Sequence, residues 1–381
     1  MKTLAKTFLP DTQVDRLRDA RLLLRESKAA RIVTSAQTGA LRFASLTKSF
    51  ASVYYSLLSG QFRREERAVL AGLAKYHAEL QDDDANVFLM RRNVHRLEKG
   101  LLMRPRRPVF AKDYILETVN VYRKIVSEPA RSQESSAESL RWGYDVLSEY
   151  FAVTAADPVI DHARDVFEKC PPAPGAGSNV KRIPYQRALE EQPVTYEQLE
   201  QLSLKRRSVR WFEQKPVPRD LLDKAFHIAN LSPSACNRQP FRFLVFDDPE
   251  MVQEVASLPG GTIGWKHNIP AMVVVLGSLD AFYSEKDRHV IYIDGSLASM
   301  SFSYALETLG LSSCICNWPD IEAHEARAQK VLGLQPYERP IFFMAVGYPD
   351  PDAMVAYSQK RPLDVMRQYN TEIASSERAS A

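Results

Sequence analysis

The sequence predicts an all-helical first half followed by an α+β second half. Three observations carry this. From about Val14 to Glu168 every periodic segment repeats its apolar residues at helical spacing, and none alternates as a strand would. Short apolar runs bounded by Pro, Gly or Asp appear only after residue 240. Between Cys170 and Arg187 the composition changes abruptly, with four prolines and two glycines in CPPAPGAGSNVKRIPYQR. A chain of 381 residues exceeds the usual single-domain size. The expected division is a helical region over 1–169, a stiffened linker over 170–187 and a second domain over 188–381.

Taken in order, the helices of the first half are expected over Val14–Glu26, Leu41–Leu58, Arg64–Leu80, Ala85–Leu101, Ala111–Val126, Glu138–Phe151 and Asp161–Glu168. The fourth is the clearest, because Val87, Met90, Val94, Leu97 and Leu101 fall on one stripe. Pro105 and Pro108 then end the helical pattern. After the linker, Thr195 and Gln198 have the spacing of a capping box, and Leu199 and Leu202 follow at helical spacing. Leu221, Leu222, Ala225, Ile228 and Ala229 form a second amphipathic helix that Pro233 prevents from continuing. Strands are expected at Phe241–Phe246, Ala271–Gly277, Ser312–Cys316 and Ile341–Tyr348. A helix rich in small residues lies over Ile293–Leu309, and Asp320 is the expected cap of another running to Leu332.

The totals exclude several classes. Apolar residues at 45% and charged residues at 25% are ordinary for a globular protein. A formal charge of +3 implies no polyanion partner by itself. Four cysteines in so long a chain, without metal-ligand spacing, point to a reducing compartment, and no signal peptide or membrane span is evident, so the expected location is cytoplasmic. The basic run MRRNVHRLEKGLLMRPRRP could dock an acidic partner, but the plainer reading is a solvated helix face. It lacks aromatic residues for base stacking, so no nucleic acid is expected. His95 within it has no ligand-spaced neighbour and is read as a surface or half-buried residue.

No nucleophile motif, zinc motif or P-loop occurs. Gly260, Gly261 and Gly264 read as a turn, and Cys314 and Cys316, two apart on one strand face, read as buried thiols rather than a redox pair. What remains is the stretch from Lys205 to Phe246. Its pentad Arg206-Arg207-Ser208-Val209-Arg210 gathers three guanidinium groups and a hydroxyl, a set suited to phosphate. The later SPSACNRQP offers small and amide side chains that suit the hydrogen-bonding edge of a nucleotide-like cofactor.

LKRRSVRWF, SPSACNRQPFRF, GLSSCICNWPD, PIFFMAVGYPDP and QKRPLDVM, in this order and spacing, resemble the FMN-dependent nitroreductase family over roughly residues 195–370. The resemblance implies an α+β sandwich with a central, mainly antiparallel sheet flanked by helices. It implies a homodimer with FMN at the subunit interface. It implies ping-pong hydride transfer from NADPH or NADH, the transient donor, to a nitroaromatic, quinone or similar small acceptor. On this likeness Arg206 and Ser208 correspond to phosphate contacts and Arg210 to the group near the ribityl chain and pyrimidine edge, while Arg207 either joins them or faces solvent. Pro233, Ser234, Asn237 and Gln239 correspond to the flavin-lining loop, often contributed across the dimer interface. Cys316 and Asn317 are the candidates for the contact to flavin N5, and Lys360 and Arg361 for a phosphate pair near the C-terminus. No residue is nominated as an acid-base catalyst. Asn317 and Trp318 stand where the family usually has two glycines, and whether these bulky side chains leave the substrate pocket open, narrow it or block it is not fixed by the sequence. Gln359 replaces the family's first lysine. These departures keep open a flavin-binding scaffold, and the fold also serves flavin fragmentation and reductive dehalogenation.

Overall fold

The structure, a computed structural model, describes residues 28–81, 86–127, 137–173, 175, 180–187 and 192–371. The chain divides into two compact units, 1–67 and 68–381. The helix expected over Val14–Glu26 lies outside the described residues. In the first unit, α1 (Lys28–Ala44) is followed by α2 (Lys48–Val53), which passes into a π-helical turn at Tyr54–Ser59. The single helix expected over Leu41–Leu58 is therefore interrupted. The cause is local: Thr47 is extended and its side chain accepts from Phe50 N–H at 3.1 Å, starting a new helix.

The helix α3 (Arg63–Gln81) leads into the second unit, where α4 (Val87–Leu101), α5 (Ile115–Ser127), α6 (Ala137–Val153) and α7 (Pro158–Glu168) share one core. The predicted stripe of α4 is buried along its whole length, from Val87 to Leu101. The helix expected from Ala111 starts only at Ile115, because Ala111 sits at φ 63°, outside helical space. The helix expected from Asp161 begins earlier, at Pro158, because Asp157 caps Val159 N–H at 3.0 Å. The described parts of 170–187 are tied to α6: Arg182 N–H donates to Asp145 at 2.9 Å and Arg141 donates to the Val180 carbonyl at 2.7 Å.

The remaining helices are α8 (Tyr196–Lys205), α9 (Arg219–Asn230), α10 (Pro249–Ala256), α11 (Val290–Thr308), α12 (Glu322–Leu332) and the short α13 (Leu363–Met366). They surround a four-stranded sheet of β1 (Phe241–Phe246), β2 (Ala271–Ser278), β3 (Ser312–Asn317) and β4 (Glu338–Gly347), in the order β1-β2-β4-β3. Every pairing is antiparallel. The fold is thus the α+β arrangement expected, a central antiparallel sheet flanked by helices and preceded by a helical region.

The sandwich follows from strand periodicity. Along β2, Met272, Val274 and Leu276 join the core that holds Val252 and Val255 of α10 and Ala328 of α12. Ala271, Val273 and Val275 join the other core, with Leu222 and Ala225 of α9 and Ala298 and Phe302 of α11. Both faces being covered explains why β2 and β4 read as continuous apolar runs. The capping box of α8 forms, with Thr195 N–H donating to Gln198 at 3.0 Å and Gln198 N–H to Thr195 at 3.3 Å. Asp320 does not cap α12, whose N-terminal flank is Ile321 with no side-chain cap; its carboxylate accepts from Arg339 instead.

The helix α3 docks on the segment after β2. A Cβ on Gly72 would lie 2.6 Å from Leu279 C and 2.7 Å from its carbonyl oxygen, both backbone atoms. Gly72→Ala gains about 1 kcal/mol of helix propensity. Overpacking costs roughly 1–3 kcal/mol, and fixed backbone neighbours place this site toward the upper end. Net destabilisation is expected in urea unfolding; a raised midpoint would show that this contact yields freely. Among the described residues, no helix is long and apolar enough to cross a membrane and no cluster of His, Cys, Asp and Glu could hold a metal ion.

Candidate functional site

Arg206 terminates α8. Its ψ of 111° leaves the helix while its N–H still bonds Leu202 O at 2.9 Å. The chain then runs extended beside β3, where Ser208 bridges Ser313 and Val209 N–H donates to Ser313 O at 3.1 Å. Burial of Val209 leaves Ser208 and Arg210 exposed on the opposite side of this extended segment. Two residues that the sequence did not single out hold the backbone here. Asn268 donates to Arg210 O at 2.9 Å, and its side-chain oxygen accepts from Gln214 at 2.8 Å.

The three guanidinium groups of the pentad have different surroundings. Arg206 is half-buried, and its Nε is buried with no hydrogen-bond partner among the described residues. Arg207 is a brace: its Nη2 donates to Ala356 O at 2.6 Å and also to Tyr357 O. It thereby fastens the C-terminal segment to the pentad. Among the described residues Arg210 makes a single marginal bond, 3.5 Å to Ser208 O, and Arg210 is exposed. Lys360 and Arg361 follow the fastened segment and are exposed, with Lys360 O accepting from Gln359 at 2.9 Å. An orphaned guanidinium nitrogen, an open hydroxyl and an open guanidinium in one segment fit a phosphate group.

At the end of β3, Cys316 is buried and Asn317 exposed, as alternation requires. Cys314 shares the Cys316 face, and all four cysteines of the chain are free thiols. The neighbouring thiol Cys316 draws Cys314 below the usual thiol range; burial opposes this and Arg210 assists. Cys316 is pushed up by Cys314 and by burial. Glu307, near the start of β3, is raised by its own burial, against the hydrogen bond from Ser312 and the charges of Lys205 and Arg206. Trp318 is only 8% exposed; its ring packs 5.0 Å from Phe343 and its Nε1–H donates to Glu325, so it fills the core beneath the sheet instead of the space beside Asn317.

The amide-rich loop is a second cluster. Pro233 is exposed, whereas Ser234 donates to the buried Asp294 carboxylate at 2.6 Å and Ala235 N–H donates to the same oxygen at 3.0 Å. Gln239 N–H donates to Ser234 Oγ at 2.8 Å. Cys236, Asn237 and Gln239 have φ of 54°, 50° and 54°, left-handed values that cost on the order of 1–3 kcal/mol each for non-glycine residues. Such a backbone needs outside support. Arg91 of α4 supplies some of it, donating to Asn237 O at 2.8 Å and to Gln239 Oε1 at 2.7 Å.

The solvated face expected for the basic helix therefore does not hold at its centre. Arg91, Arg92 and Arg96 are half-buried over the rings of Trp142, Tyr283 and Tyr114, at 5.4, 5.0 and 3.6 Å. The periodicity of α4 identifies its dry face but carries no sign of aromatic partners that arrive from distant segments. His95 is half-buried, 3.2 Å from Glu98.

Both clusters are anchored to α11, but at different levels. Ser234 bonds Asp294, while Ser312, next to the bridge that holds the pentad, donates to Glu307 at 2.9 Å. These anchors are thirteen positions apart on the helix, about 20 Å of axis. Gln239 lines a cleft of about 450 Å³ whose walls also include Lys75, Phe88, Arg91, Arg238 and Tyr337 but none of the pentad, β3 or the C-terminal segment.

Residues 204–348 match the model of the nitroreductase family, in two overlapping segments, 204–259 and 252–348. The chain is 22% identical over 214 residues to iodotyrosine deiodinase 1 of Pongo abelii, covering 49% of this chain and 74% of that protein. The corresponding figures for iodotyrosine deiodinase 1 of Homo sapiens are the same, 22%, 49% and 74%. Among solved structures, an FMN-dependent nitroreductase from Clostridium difficile aligns with a TM-score of 0.39 at 21% identity, covering 45% of this chain and 98% of its own.

Proposed function

We propose that this protein is an FMN-dependent NAD(P)H oxidoreductase that reduces a nitroaromatic, quinone or similar small acceptor and works as a homodimer. The family match over 204–348 supports a flavin-linked oxidoreductase role in general. The observation that carries the cofactor assignment is the Arg206 guanidinium, with its buried orphan Nε, beside the open Ser208 and Arg210. The chemistry that FMN supplies when bound is hydride transfer, from a reduced nicotinamide nucleotide to the acceptor in two half-reactions. The protein's own part is to bind and to orient.

In this reading Arg206 and Ser208 hold the phosphate, with Lys360 and Arg361 brought to the same region by the Arg207 brace. Arg210 places a cation by the pyrimidine edge, where it favours the negatively charged reduced form. Asn317 and the backbone at Cys316 present the end of β3 to the ring. Removal of the Trp318 ring into the core leaves only Asn317 of the bulky pair on the exposed side. Pro233, Ser234, Asn237 and Gln239 line the flavin of the second subunit. Two features support that exchange: the separate anchoring of the clusters on α11, and the exposed apolar side chains Ile293 and Leu297 of α11, Ile228 of α9 with Leu231 just after it, and Leu199 and Leu204 of α8. The helices α8 and α9 both pack against α11, so these residues belong to neighbouring elements suited to a partner surface. Free thiols throughout fit the cytoplasmic location we propose.

A second reading is reductive dehalogenation of a halogenated phenol, favoured by the likeness to proteins named iodotyrosine deiodinase over nearly half of this chain. One experiment addresses both. Purified protein is loaded with FMN, reduced anaerobically with NADPH or NADH, and offered a nitroaromatic, a quinone and a halophenol in turn. The expected result is bound flavin that bleaches with the nicotinamide and is reoxidised by the nitroaromatic or quinone. Halide release in place of nitro or quinone reduction selects the second reading. Protein that takes up no FMN overturns both, and bound flavin that no nicotinamide bleaches leaves the scaffold alternative.

A further inference from the structure

We propose that Arg91, on a helix outside the family match, is a positioning residue that holds the amide-rich loop in its cofactor-facing shape, giving the helical region a direct part in flavin binding. The consequence for flavin rests on the function proposed above; the effect on the loop does not.

Arg91 is set up for this task by its own helix. The buried stripe of α4 fixes the helix in the bundle, and the guanidinium, half-buried over the Trp142 ring, is directed out of that core. Its three nitrogens are used separately. Nη1 donates to Ser139 Oγ at 2.9 Å, Nε to Asn237 O at 2.8 Å and Nη2 to Gln239 Oε1 at 2.7 Å. One bond ties it to α6 and two tie it to the loop. The two loop partners are both left-handed residues, and the first bond holds the peptide that follows Asn237. The second orients an amide: with Oε1 engaged by Arg91, the Gln239 nitrogen is the donor end, and it makes a long contact of 3.3 Å to Asn230. Asp294 grips the start of the loop from α11 at Ser234 and Ala235. The loop is therefore pinned at both ends by buried or half-buried charges, one on the sheet domain and one on the helical region. A lysine could preserve the charge and the ring contact but has no planar fork to reach three acceptors in different directions.

The test compares wild type, Arg91→Ala and Arg91→Lys by hydrogen exchange and by FMN titration, with ethylguanidinium added to the alanine variant. In the alanine variant, amides of 235–239 are expected to exchange faster while those of 115–125 in α5 stay as in wild type. FMN affinity is expected to fall roughly 10- to 100-fold. The lysine variant should fold normally and keep only part of the affinity, and ethylguanidinium should restore loop protection to the alanine variant, which a general loss of packing would not permit. Unchanged exchange in 235–239 in both variants overturns the proposal, whatever happens to flavin. Faster loop exchange with undiminished FMN affinity overturns the link to the cofactor. If the alanine variant does not fold, the lysine variant decides on the same two readouts. Wild type that binds no FMN is a different failure, that of the flavin reading, and is visible before any variant is made.

Discussion

Arg206→Ala is expected to weaken FMN binding by roughly 10- to 100-fold, the range for losing a charge-assisted bond to phosphate. The environment explains why the effect should be large. Arg206 is half-buried and its Nε has no protein partner among the described residues, so the group is held ready for an external acceptor. It also lies close enough to the buried Glu307 to oppose the burial-driven rise of that carboxyl. Removing the cation therefore leaves Glu307 easier to protonate, an effect that must be separated from ligand binding. Thermal unfolding of the flavin-free protein measures the first, and flavin fluorescence titration measures the second. Arg206→Lys should fall between the two proteins in affinity, because a lysine keeps the charge but loses the bidentate geometry. Undiminished FMN affinity in the alanine variant would remove Arg206 from the phosphate site.

The largest stability effect is expected at Arg339, the second residue of β4 and only 2% exposed. Its Nη2 donates to Asp320 and its Nε lies 3.6 Å from Glu325, a carboxylate 3% exposed that also accepts from Trp318. Arg339→Ala withdraws the cation and leaves Glu325 in the interior, at a cost on the order of 3–5 kcal/mol. A double variant, Arg339→Met with Glu325→Leu, removes both charges and should recover most of that loss. Denaturant midpoints of the three proteins check this. A single variant that loses under about 1 kcal/mol would mean that Glu325 is relieved by protonation or by water and that the cation is dispensable.

Legibility from the sequence was uneven for physical reasons. Helix and strand positions came through because burial of one face imposes a local period, as in the stripe of α4 and the alternation along β2. Interruptions were missed where one side chain overrides the period, as Thr47 does between α1 and α2. The candidate phosphate and loop residues were legible because their types cluster within a few positions. Their supports, Asn268, Gln214, Asp294 and Arg91, were not, since each acts across a long sequence separation. Trp318 shows the same limit in reverse: its size was visible, but its direction is set by Phe343 and Glu325.

The sequence by itself determined the helical first half, the α+β second half, the likeness to the nitroreductase family and the residue types available for a phosphate and a flavin edge. Only the tertiary structure decided that the two candidate clusters occupy different levels of α11, that Arg207 braces the C-terminal segment and that Arg91 belongs to the amide-rich loop. Periodicity and motif spacing encode what neighbouring residues do along one element. Which charged group meets which distant backbone depends on how several elements pack, and no single stretch of sequence records that.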